Sequence, residues 1–290
     1  MSSIAVVICT RDRPALLERA LAAVRRELVP GLELVVVDQG RSPRAGEEGM
    51  RVLADRGGRG LSRARNFAAR ATDAAWLAFV DDDCRPLPGW GRALLDAAAA
   101  AEPDVAVLCP HVGAGPLPGG EYLEVTTFPV ERAAVRRGRR THPGLLGFGA
   151  CTVVRRDVAL ALGGWDERLG PGARAFPAAD DMDINYRVLR AGWAARTVPA
   201  ARVEHDQWRA ARDLPALHRG YLAAWCGFAC KHLRSGDVAG GLRLLAIGAI
   251  DVADMVASAV RRRSWLRARI AAAKAAGFVA GTARGLSRAW

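Results

Sequence analysis

The sequence predicts an α/β fold: a mostly parallel sheet with helices on both faces, followed by a C-terminal helical tail. From Ile4 to about Val203, short apolar runs rich in Val and Ile alternate with amphipathic segments, the order expected of strands joined by helices. The first runs are continuous rather than alternating, as in strands buried on both faces. Beyond about Trp208 only helical patterns remain.

The elements follow in order from these patterns. The first strand ends where the polar segment 10–14 interrupts the apolar run, and the next segment places Leu17, Leu21 and Val24 on one helical face. A segment rich in Gly, Ser, Pro and Arg after the second strand is predicted to be a loop. The predicted strands are 4–9, 34–37, 74–80, 105–109 and 146–154, with short strands at 197–198 and 203. The predicted helices are 14–28, 62–71, 90–101, 157–162 and 180–191.

Polar residues follow three of these strands at the point where each strand ends. The first strand is followed by Thr10-Arg11-Asp12, the second by Asp38 and the third by Asp81-Asp82-Asp83. In sheets of this kind, ligands bind beyond the carboxyl ends of the strands. The sequence therefore predicts one polar site at one edge of the sheet.

The three adjacent carboxylates of Asp81-Asp82-Asp83 repel one another, so they need compensation if all are ionised. A divalent cation supplies it, because hard cations prefer oxygen ligands. Alternate residues of an extended segment point the same way, which leads us to expect Asp81 and Asp83 in one ligand set. The alternative is a solvated acidic turn.

A second acidic cluster, formed by Asp180, Asp181 and Asp183, opens the last predicted helix before the tail. Acidic residues stabilise a helix N-terminus by about 0.3–1 kcal/mol each, so capping explains one or two of them. Three acidic residues are more than capping of the helix requires. An ionised carboxylate at this position can accept a proton in catalysis. Arg63, Arg65 and Asn66, on or near the helix before the acidic strand, are candidates for phosphate or base binding; the alternative is a solvated arginine face.

The charge is uneven along the chain, which carries +12 overall. Residues 207–290 hold 14 Lys and Arg against 4 Asp, so we predict a nearly neutral domain over 1–206 and a basic helical tail over 207–290. Such a tail suits an anionic membrane surface, unless its arginines are simply solvated. A nucleic-acid partner is not expected, because basic charge is a non-specific signal and no recognition motif is present.

Two further observations bear on location. The six cysteines form no CxxC pair and lie mostly in apolar runs, and the apolar run 4–9 is too short for a signal peptide, so we expect reduced thiols in a cytoplasmic protein. Cys226, Cys230 and His232 are better explained by core packing than by a metal site. The apolar stretch 242–260 contains charged residues, which disfavours a spanning helix and favours one lying at the inner face of the cell membrane.

Six motifs in this order resemble glycosyltransferase family 2, whose members have the GT-A fold. The resemblance covers about Ile4 to Asp206, and any one of the motifs alone is weak. The matching segments are Val6-Val7-Ile8-Cys9-Thr10-Arg11-Asp12-Arg13-Pro14, Val35-Val36-Val37-Asp38, Gly60-Leu61-Ser62-Arg63-Ala64-Arg65-Asn66, Phe79-Val80-Asp81-Asp82-Asp83, Gly163-Gly164-Trp165-Asp166-Glu167 and Asp180-Asp181-Met182-Asp183-Ile184-Asn185-Tyr186-Arg187.

The resemblance implies a donor site for a nucleoside-diphosphate sugar, linked to UDP, dTDP or GDP. Thr10 and Asp38 would hold the base and ribose, with Arg65 nearby. Asp81 and Asp83 resemble the DxD pair, which touches the ribose and a Mg²⁺ or Mn²⁺ ion on the diphosphate. The full set assigned to the donor is Thr10, Arg11, Asp38, Arg63, Arg65, Asp81 and Asp82.

The resemblance also implies a transfer reaction with inversion, in which Asp181 matches the catalytic base. Asp180 replaces a more usual Glu, so Asp180 is the alternative base; Gln39 departs from the more usual Asn or Asp. His205 stands where some relatives have a further metal ligand, and its alternative is a packed or surface residue.

Trp165 and Asp166 are assigned to the acceptor side. The acceptor hydroxyl would belong to a lipid-linked molecule or a small natural product. The alternative hypothesis for the whole chain is a catalytically inactive module of the same fold that binds a nucleotide sugar or acts as a scaffold.

Overall fold

A computed structural model describes residues 3–287, and it divides into two compact units. The first unit contains the chain up to Pro116 together with Glu124–Asp166 and Asp181–Gln207. The second contains Leu117–Leu123, Glu167–Asp180 and the chain from Trp208 onward. All strands of the described residues lie in the first unit, whereas the second is built on three long helices.

The first unit is organised around one sheet of nine strands within the described residues. The strands are β1 (Ile4–Thr10), β2 (Leu32–Asp38), β3 (Met50–Ala54), β4 (Trp76–Asp81), β5 (Cys84–Pro86), β6 (Val105–Ala114), β7 (Val135–Arg136), β8 (Cys151–Arg155) and β9 (Ala194–His205). Their order is β3-β2-β1-β4-β8-β6-β9-β5, with β7 paired to β9. The strands β3, β2, β1 and β4 are parallel to one another, and β6 is parallel to β9. β8 is antiparallel to β4 and β6, and β5 and β7 are antiparallel to β9.

Eight α-helices lie within the described residues. They are α1 (Pro14–Glu27), α2 (Leu61–Ala71), α3 (Trp90–Ala99), α4 (Arg156–Ala161), α5 (Asp180–Arg190), α6 (Leu214–Arg234), α7 (Val238–Arg261) and α8 (Trp265–Leu286). Short 3-10 turns occur at Pro143–Leu146 and Ala211–Asp213.

The core confirms the prediction of helices on both faces of the sheet. Successive residues of a strand point to opposite faces, so Ile4, Val6 and Ile8 of β1 pack toward α1 and α3. Ala5 and Val7 of the same strand belong to the cluster on the other face, with side chains of α2, α4 and α5. The interior therefore holds the carboxyl ends of β1, β2 and β4 in fixed positions.

The structure differs from the predicted elements at several places, and the short strands β5 and β7 were not predicted at all. β3 lies within the predicted loop, where a five-residue edge strand gives little periodicity. The predicted strand 146–154 is shorter, because the 3-10 turn ends at Gly147 with φ 88° and β8 begins only at Cys151. The two short strands predicted near 197 and 203 are parts of the single strand β9, interrupted in its pairing with β6 by a register shift.

In the second unit, α8 packs closely on α6 through three glycines spaced four residues apart. A Cβ built at Gly277 would stand 2.4 Å from the carbonyl oxygen of Arg219, and one at Gly281 would stand 2.3 Å from that of Ala223. One at Gly285 would stand 2.7 Å from the Cβ of Cys230. None of the helices in residues 3–287 combines the length and the apolar character needed to cross a bilayer.

Candidate active site

The ends of β1, β2 and β4 bring the predicted polar clusters together. In the parallel register, Thr10 lies opposite Asp38 and Cys9 lies opposite Asp81. The Thr10 hydroxyl donates a hydrogen bond of 2.7 Å to Asp82 Oδ2. The sequence segments that follow three strands therefore meet at one sheet edge, as their positions along the chain predicted.

Asp81, Asp82 and Asp83 point to different partners. Asp81 closes β4, but Asp82 and Asp83 form a turn rather than the extended segment assumed from the sequence. Arg13 bridges this turn, with Nη1 2.5 Å from Asp82 Oδ1 and Nη2 3.2 Å from Asp83 Oδ2. Asp81 instead lies 3.4 Å from Nη2 of the buried Arg65.

The pKa values of two carboxyls in the acidic turn are raised despite these arginines. Burial raises the pKa of Asp81 to about 7, with Arg65 and His205 lowering it and the charges of Asp83 and Asp82 raising it. Burial likewise raises the pKa of Asp82 to about 6, against the lowering effect of the Thr10 hydrogen bond and the Arg13 charge. A further positive charge at this point would stabilise the ionised carboxylates.

His205 ends β9 with its ring directed at the acidic turn. Its Nε2 lies 3.5 Å from Asp83 Oδ1, and its Nδ1 lies 3.1 Å from the carbonyl oxygen of Val125. Burial lowers the pKa of His205, but the hydrogen bond and charge of Asp83 raise it above the usual value. Gln207 braces the ring from behind, with Nε2 3.0 Å from His205 Nδ1 and Oε1 accepting from the Val125 amide.

This arrangement fits a divalent metal. Asp83, Cys84 and His205 offer ligand atoms within 4.8 Å of one another, the one such trio found in the described residues. Metal-binding histidines commonly have a carbonyl on the second ring nitrogen, as Val125 provides here. Burial raises the pKa of the Cys84 thiol well above its usual value. Asp81, the other ligand predicted from the sequence, is not one of these three residues. Cys226, Cys230 and His232 form no comparable trio within residues 3–287.

The two arginines of α2 face different carboxylates. Arg65 is almost completely buried; its Nη2 donates to Gly149 O at 2.9 Å, and its guanidinium lies over the ring of Phe79. Arg63 turns instead to Asp55, with Nη2 3.1 Å from Oδ1. Gln39 joins the same network through Asp55 Oδ2 at 2.8 Å. Of these two arginines of α2, Arg65 is the one that lies beside the acidic turn.

Asp38 and Arg11 flank Thr10: Asp38 lies opposite it in the parallel register, and Arg11 follows it in the chain. The buried carboxylate of Asp38 accepts backbone hydrogen bonds from Gly40 at 2.7 Å and from Arg44 at 2.9 Å, which fixes the loop after β2. Arg11 is exposed, with Nε 3.9 Å from Asp12. Asp12 has φ 52°, an uncommon value for a residue other than glycine, and this turns the chain between Thr10 and Arg13.

The second acidic cluster separates into three environments at the start of α5. Asp183 is fully buried and lies 2.8 Å from Arg187 Nε, while Asp180 is also buried. Asp181 is the most accessible of the three. Its Oδ2 accepts from the Gly149 amide and its Oδ1 from the Met182 amide, both at 2.8 Å. These bonds orient the Asp181 carboxylate.

The two predicted acceptor-side residues differ in exposure. Trp165 is 2% exposed, and its ring packs edge-on against Phe79 at a centroid distance of 5.0 Å. Its backbone exchanges two hydrogen bonds of 2.8 Å with the Asn66 side chain. The Trp165 side chain is therefore placed to support the site from the core rather than to contact an acceptor in this conformation. Asp166 is half-buried.

Three residues that contribute to this geometry were missed in the sequence. Arg13 lies in the first of the six matching segments, and its position before Pro14 gave no reason to assign it to the acidic turn. Asp55 follows β3, which the loop prediction concealed, although it repeats the pattern of an acidic residue after a strand. Gln207 lies two residues beyond His205, and this spacing was the available signal.

Comparison with known proteins adds an independent finding. The family model described as glycosyl transferase family 2 matches residues 5–163. A pre-mycofactocin glycosyltransferase of Mycobacterium tuberculosis is 28% identical over 242 residues, which cover 79% of this chain and 48% of that protein. The chain thus spans about half the length of the curated relative.

Solved structures share the fold at low sequence identity. The mannosyltransferase PcManGT from Pyrobaculum calidifontis, in complex with GDP-Man and Mn²⁺, matches with a TM-score of 0.60 at 16% identity, covering 99% of this chain and 88% of that one. S. aureus TarS 1–349, in complex with UDP-GlcNAc, matches with a TM-score of 0.53 at 15% identity, covering 75% and 64%.

Proposed function

The chain belongs to glycosyl transferase family 2, and we propose that it transfers a sugar from a nucleoside-diphosphate sugar to an acceptor hydroxyl with inversion at the anomeric carbon. One observation carries the proposal: Asp83 and His205, together with Cys84, bring their ligand atoms within 4.8 Å of one another just beyond the carboxyl end of β4. The separate Asp181 carboxylate, oriented by two amides, supplies a base nearby.

Donor binding is assigned to the edge formed by β1, β2 and β4. Thr10, Asp38 and Arg65 are proposed to surround the base and ribose, with Arg11, Arg63 and Asp82 as further donor-side residues. Asp83, Asp81 and His205 would hold a Mg²⁺ or Mn²⁺ ion. When bound, such an ion offsets the negative charge that builds on the diphosphate as it leaves.

Proton removal is assigned to Asp181. Its carboxylate takes the proton of the acceptor hydroxyl while that oxygen bonds to the anomeric carbon and the bond to the diphosphate breaks. A positioned base of this kind contributes about 10²–10⁴-fold. A single displacement without a second nucleophile inverts the configuration. Asp180 is the alternative base, but it is more deeply buried than Asp181.

The donor and acceptor are proposed only as chemical classes. The related structures hold GDP-Man or UDP-GlcNAc, which supports a UDP-, dTDP- or GDP-linked donor here. The acceptor is proposed to be a lipid-linked molecule or a small natural product, the latter in line with the name of the mycobacterial relative. Asp166 is proposed to face the acceptor, with Trp165 supporting it from the core.

The test is a donor screen by thermal shift in the presence of Mn²⁺, followed by a hydrolysis assay. A donor at 100 times its dissociation constant should stabilise the protein by about 2.7 kcal/mol. Stabilisation accompanied by metal-dependent release of the nucleoside diphosphate supports a transferase. Stabilisation with no turnover, on any acceptor or on water, would instead support the inactive binding module.

A further inference from the structure

Exposed apolar side chains are concentrated in the second unit. Of the eleven large apolar side chains that are exposed within residues 3–287, ten belong to this unit. Leu145 is the exception. Scattered exposed apolar residues are ordinary on a protein surface, whereas a contiguous set marks an interaction site. The distribution therefore directs attention to the long helices of this unit.

Helix α7 carries five of these ten residues, and they share one side of the helix. Its buried residues are Gly241, Leu244, Gly248 and Ala259. The opposite side, here called the outer face of α7, consists of exposed apolar residues: Val238, Ala239, Leu242, Ala246, Ala249, Ile250, Ala253, Val256 and Val260. At about 100° per residue these positions fall within an arc of about 120°, and at 1.5 Å per residue they extend over about 33 Å.

Basic residues and a tryptophan border the C-terminal end of the outer face. Arg261, Arg262 and Arg263 follow Val260 directly; all three are exposed, and none forms an ion pair within the described chain. Trp265, at the start of α8, is 78% exposed. An apolar helical face flanked by arginine and an exposed indole is the composition of helices that lie in a membrane interface.

The acidic residues of α7 do not oppose this arrangement. Asp251 is held by Lys274 of α8 at 2.7 and 2.8 Å, so its charge is compensated within the unit. Asp237, just before the helix, accepts a hydrogen bond from the Gly240 amide as the N-cap. Asp254 is exposed, but its position on the helix falls beyond the edge of the apolar arc.

We propose that the outer face of α7 docks on an anionic phospholipid bilayer, lying in the plane of the interface with Arg261, Arg262 and Arg263 at the headgroups. Charge complementarity selects this partner: residues 207–290 carry a net charge of +10, so a second copy would bring a like-charged surface. Crossing the bilayer would carry Arg243, Asp251 and Asp254 into the hydrocarbon, at roughly 2.5–3.5 kcal/mol for each charge near the centre.

Flotation of the full chain with vesicles tests the proposal. We expect binding to vesicles of phosphatidylcholine and phosphatidylglycerol, weakening as salt rises, and little binding to phosphatidylcholine alone. Each basic residue at an anionic surface contributes about fivefold. The triple variant R261Q/R262Q/R263Q should therefore lower the vesicle partition coefficient by about a hundredfold.

Two variants make the test specific to this face. The control R26Q/R51Q/R70Q removes three exposed arginines from the first unit and should bind like the wild type, although it loses the same charge. The variant L242Q/I250Q/V260Q keeps every charge and good helix formers, and should lose at least tenfold in binding. Circular dichroism and thermal unfolding verify that each variant is folded. Vesicle binding requires neither donor nor metal, so its outcome is independent of the transfer reaction.

Three outcomes would overturn the proposal. One is absence of wild-type binding to anionic vesicles at low salt. Another is an equal loss of vesicle binding in the control R26Q/R51Q/R70Q, which would show that binding depends on the net charge of the chain rather than on this face. The third is a concentration-dependent dimer in analytical ultracentrifugation, together with absence of vesicle binding. If the L242Q/I250Q/V260Q variant then abolishes the dimer, the outer face of α7 binds a second copy of this chain instead.

Discussion

Two acidic clusters, one at the end of β4 and one at the start of α5, have similar sequences but different surroundings. At Asp81-Asp82-Asp83, burial and mutual repulsion raise the pKa of Asp81 and Asp82 despite two neighbouring arginines. At the start of α5, Arg187 pairs with Asp183 and two amides hold Asp181. A further positive charge would stabilise the ionised carboxylates of the first cluster, which suits a cation, whereas the second cluster presents one oriented carboxylate, which suits a proton.

The largest expected effect tests the proton-accepting half of this comparison. Asp181→Asn keeps the size of the side chain and removes its basicity, so turnover should fall by about 10²–10⁴-fold. The dissociation constant for the donor, measured by calorimetry, should change little. If Asp180→Asn is the impaired variant and Asp181→Asn is not, the base is Asp180.

The cation-binding half is tested by metal affinity. EDTA should abolish transfer and Mn²⁺ should restore it, and Asp83→Ala should weaken both Mn²⁺ and donor binding. Gln207→Leu, which removes the brace behind His205, should weaken Mn²⁺ by about 10–100-fold, as loss of an outer-sphere partner typically does. Isothermal titration with Mn²⁺ measures both variants. Wild-type metal affinity in Asp83→Ala would refute the assignment.

The buried ion pair of α5 should matter for stability rather than for ligand binding. Arg187→Met removes the guanidinium that pairs with the fully buried Asp183, and breaking a buried ion pair typically costs about 3–5 kcal/mol. Arg92→Met breaks the exposed pair with Asp96 and should cost less than about 1 kcal/mol. Urea unfolding compares the two. A small loss in Arg187→Met would show that Asp183 needs no compensation.

The smallest expected effect concerns pH in the metal-free protein. A carboxyl whose pKa is higher folded than unfolded binds more protons when folded, so the free energy of unfolding falls as pH rises between the two values. For Asp81 this interval runs from the usual value of 3.8 to about 7. Asp81→Asn should therefore raise the melting temperature above pH 7 by on the order of a few degrees. Near pH 4 the gain should vanish; an equal gain at both pH values would contradict the cause.

Sequence patterns predicted the elements that have strong periodicity. The strands at 4–9, 34–37 and 74–80 and the helix at 180–191 match β1, β2, β4 and α5 closely, because continuous β-branched runs and a clear helical period leave one interpretation. β3 and β8 were misjudged, since a short edge strand and a glycine-rich turn give local signals that tertiary pairing overrides.

The site was predicted at the level of segments rather than of side-chain partners. The rule that ligands bind beyond the carboxyl ends of the strands led to the correct prediction that Thr10, Asp38 and Asp81 lie at one edge of the sheet. The rule cannot say that Arg13 bridges the acidic turn or that Arg63 faces Asp55, because those contacts depend on loop conformations such as the positive φ of Asp12. The roles of the assigned residues remain predictions.

Gly149 links the two acidic clusters through a single residue. Its amide donates to Asp181, and its carbonyl accepts from Arg65, which lies beside Asp81. A Cβ at this position would stand 2.9 Å from the Arg65 guanidinium, so only glycine leaves the contact undisturbed. One residue thus sets the separation between the proposed donor side and acceptor side. A shift of Gly149 would therefore move the Asp181 carboxylate and the Arg65 guanidinium together, which couples the two proposed sides through one peptide unit.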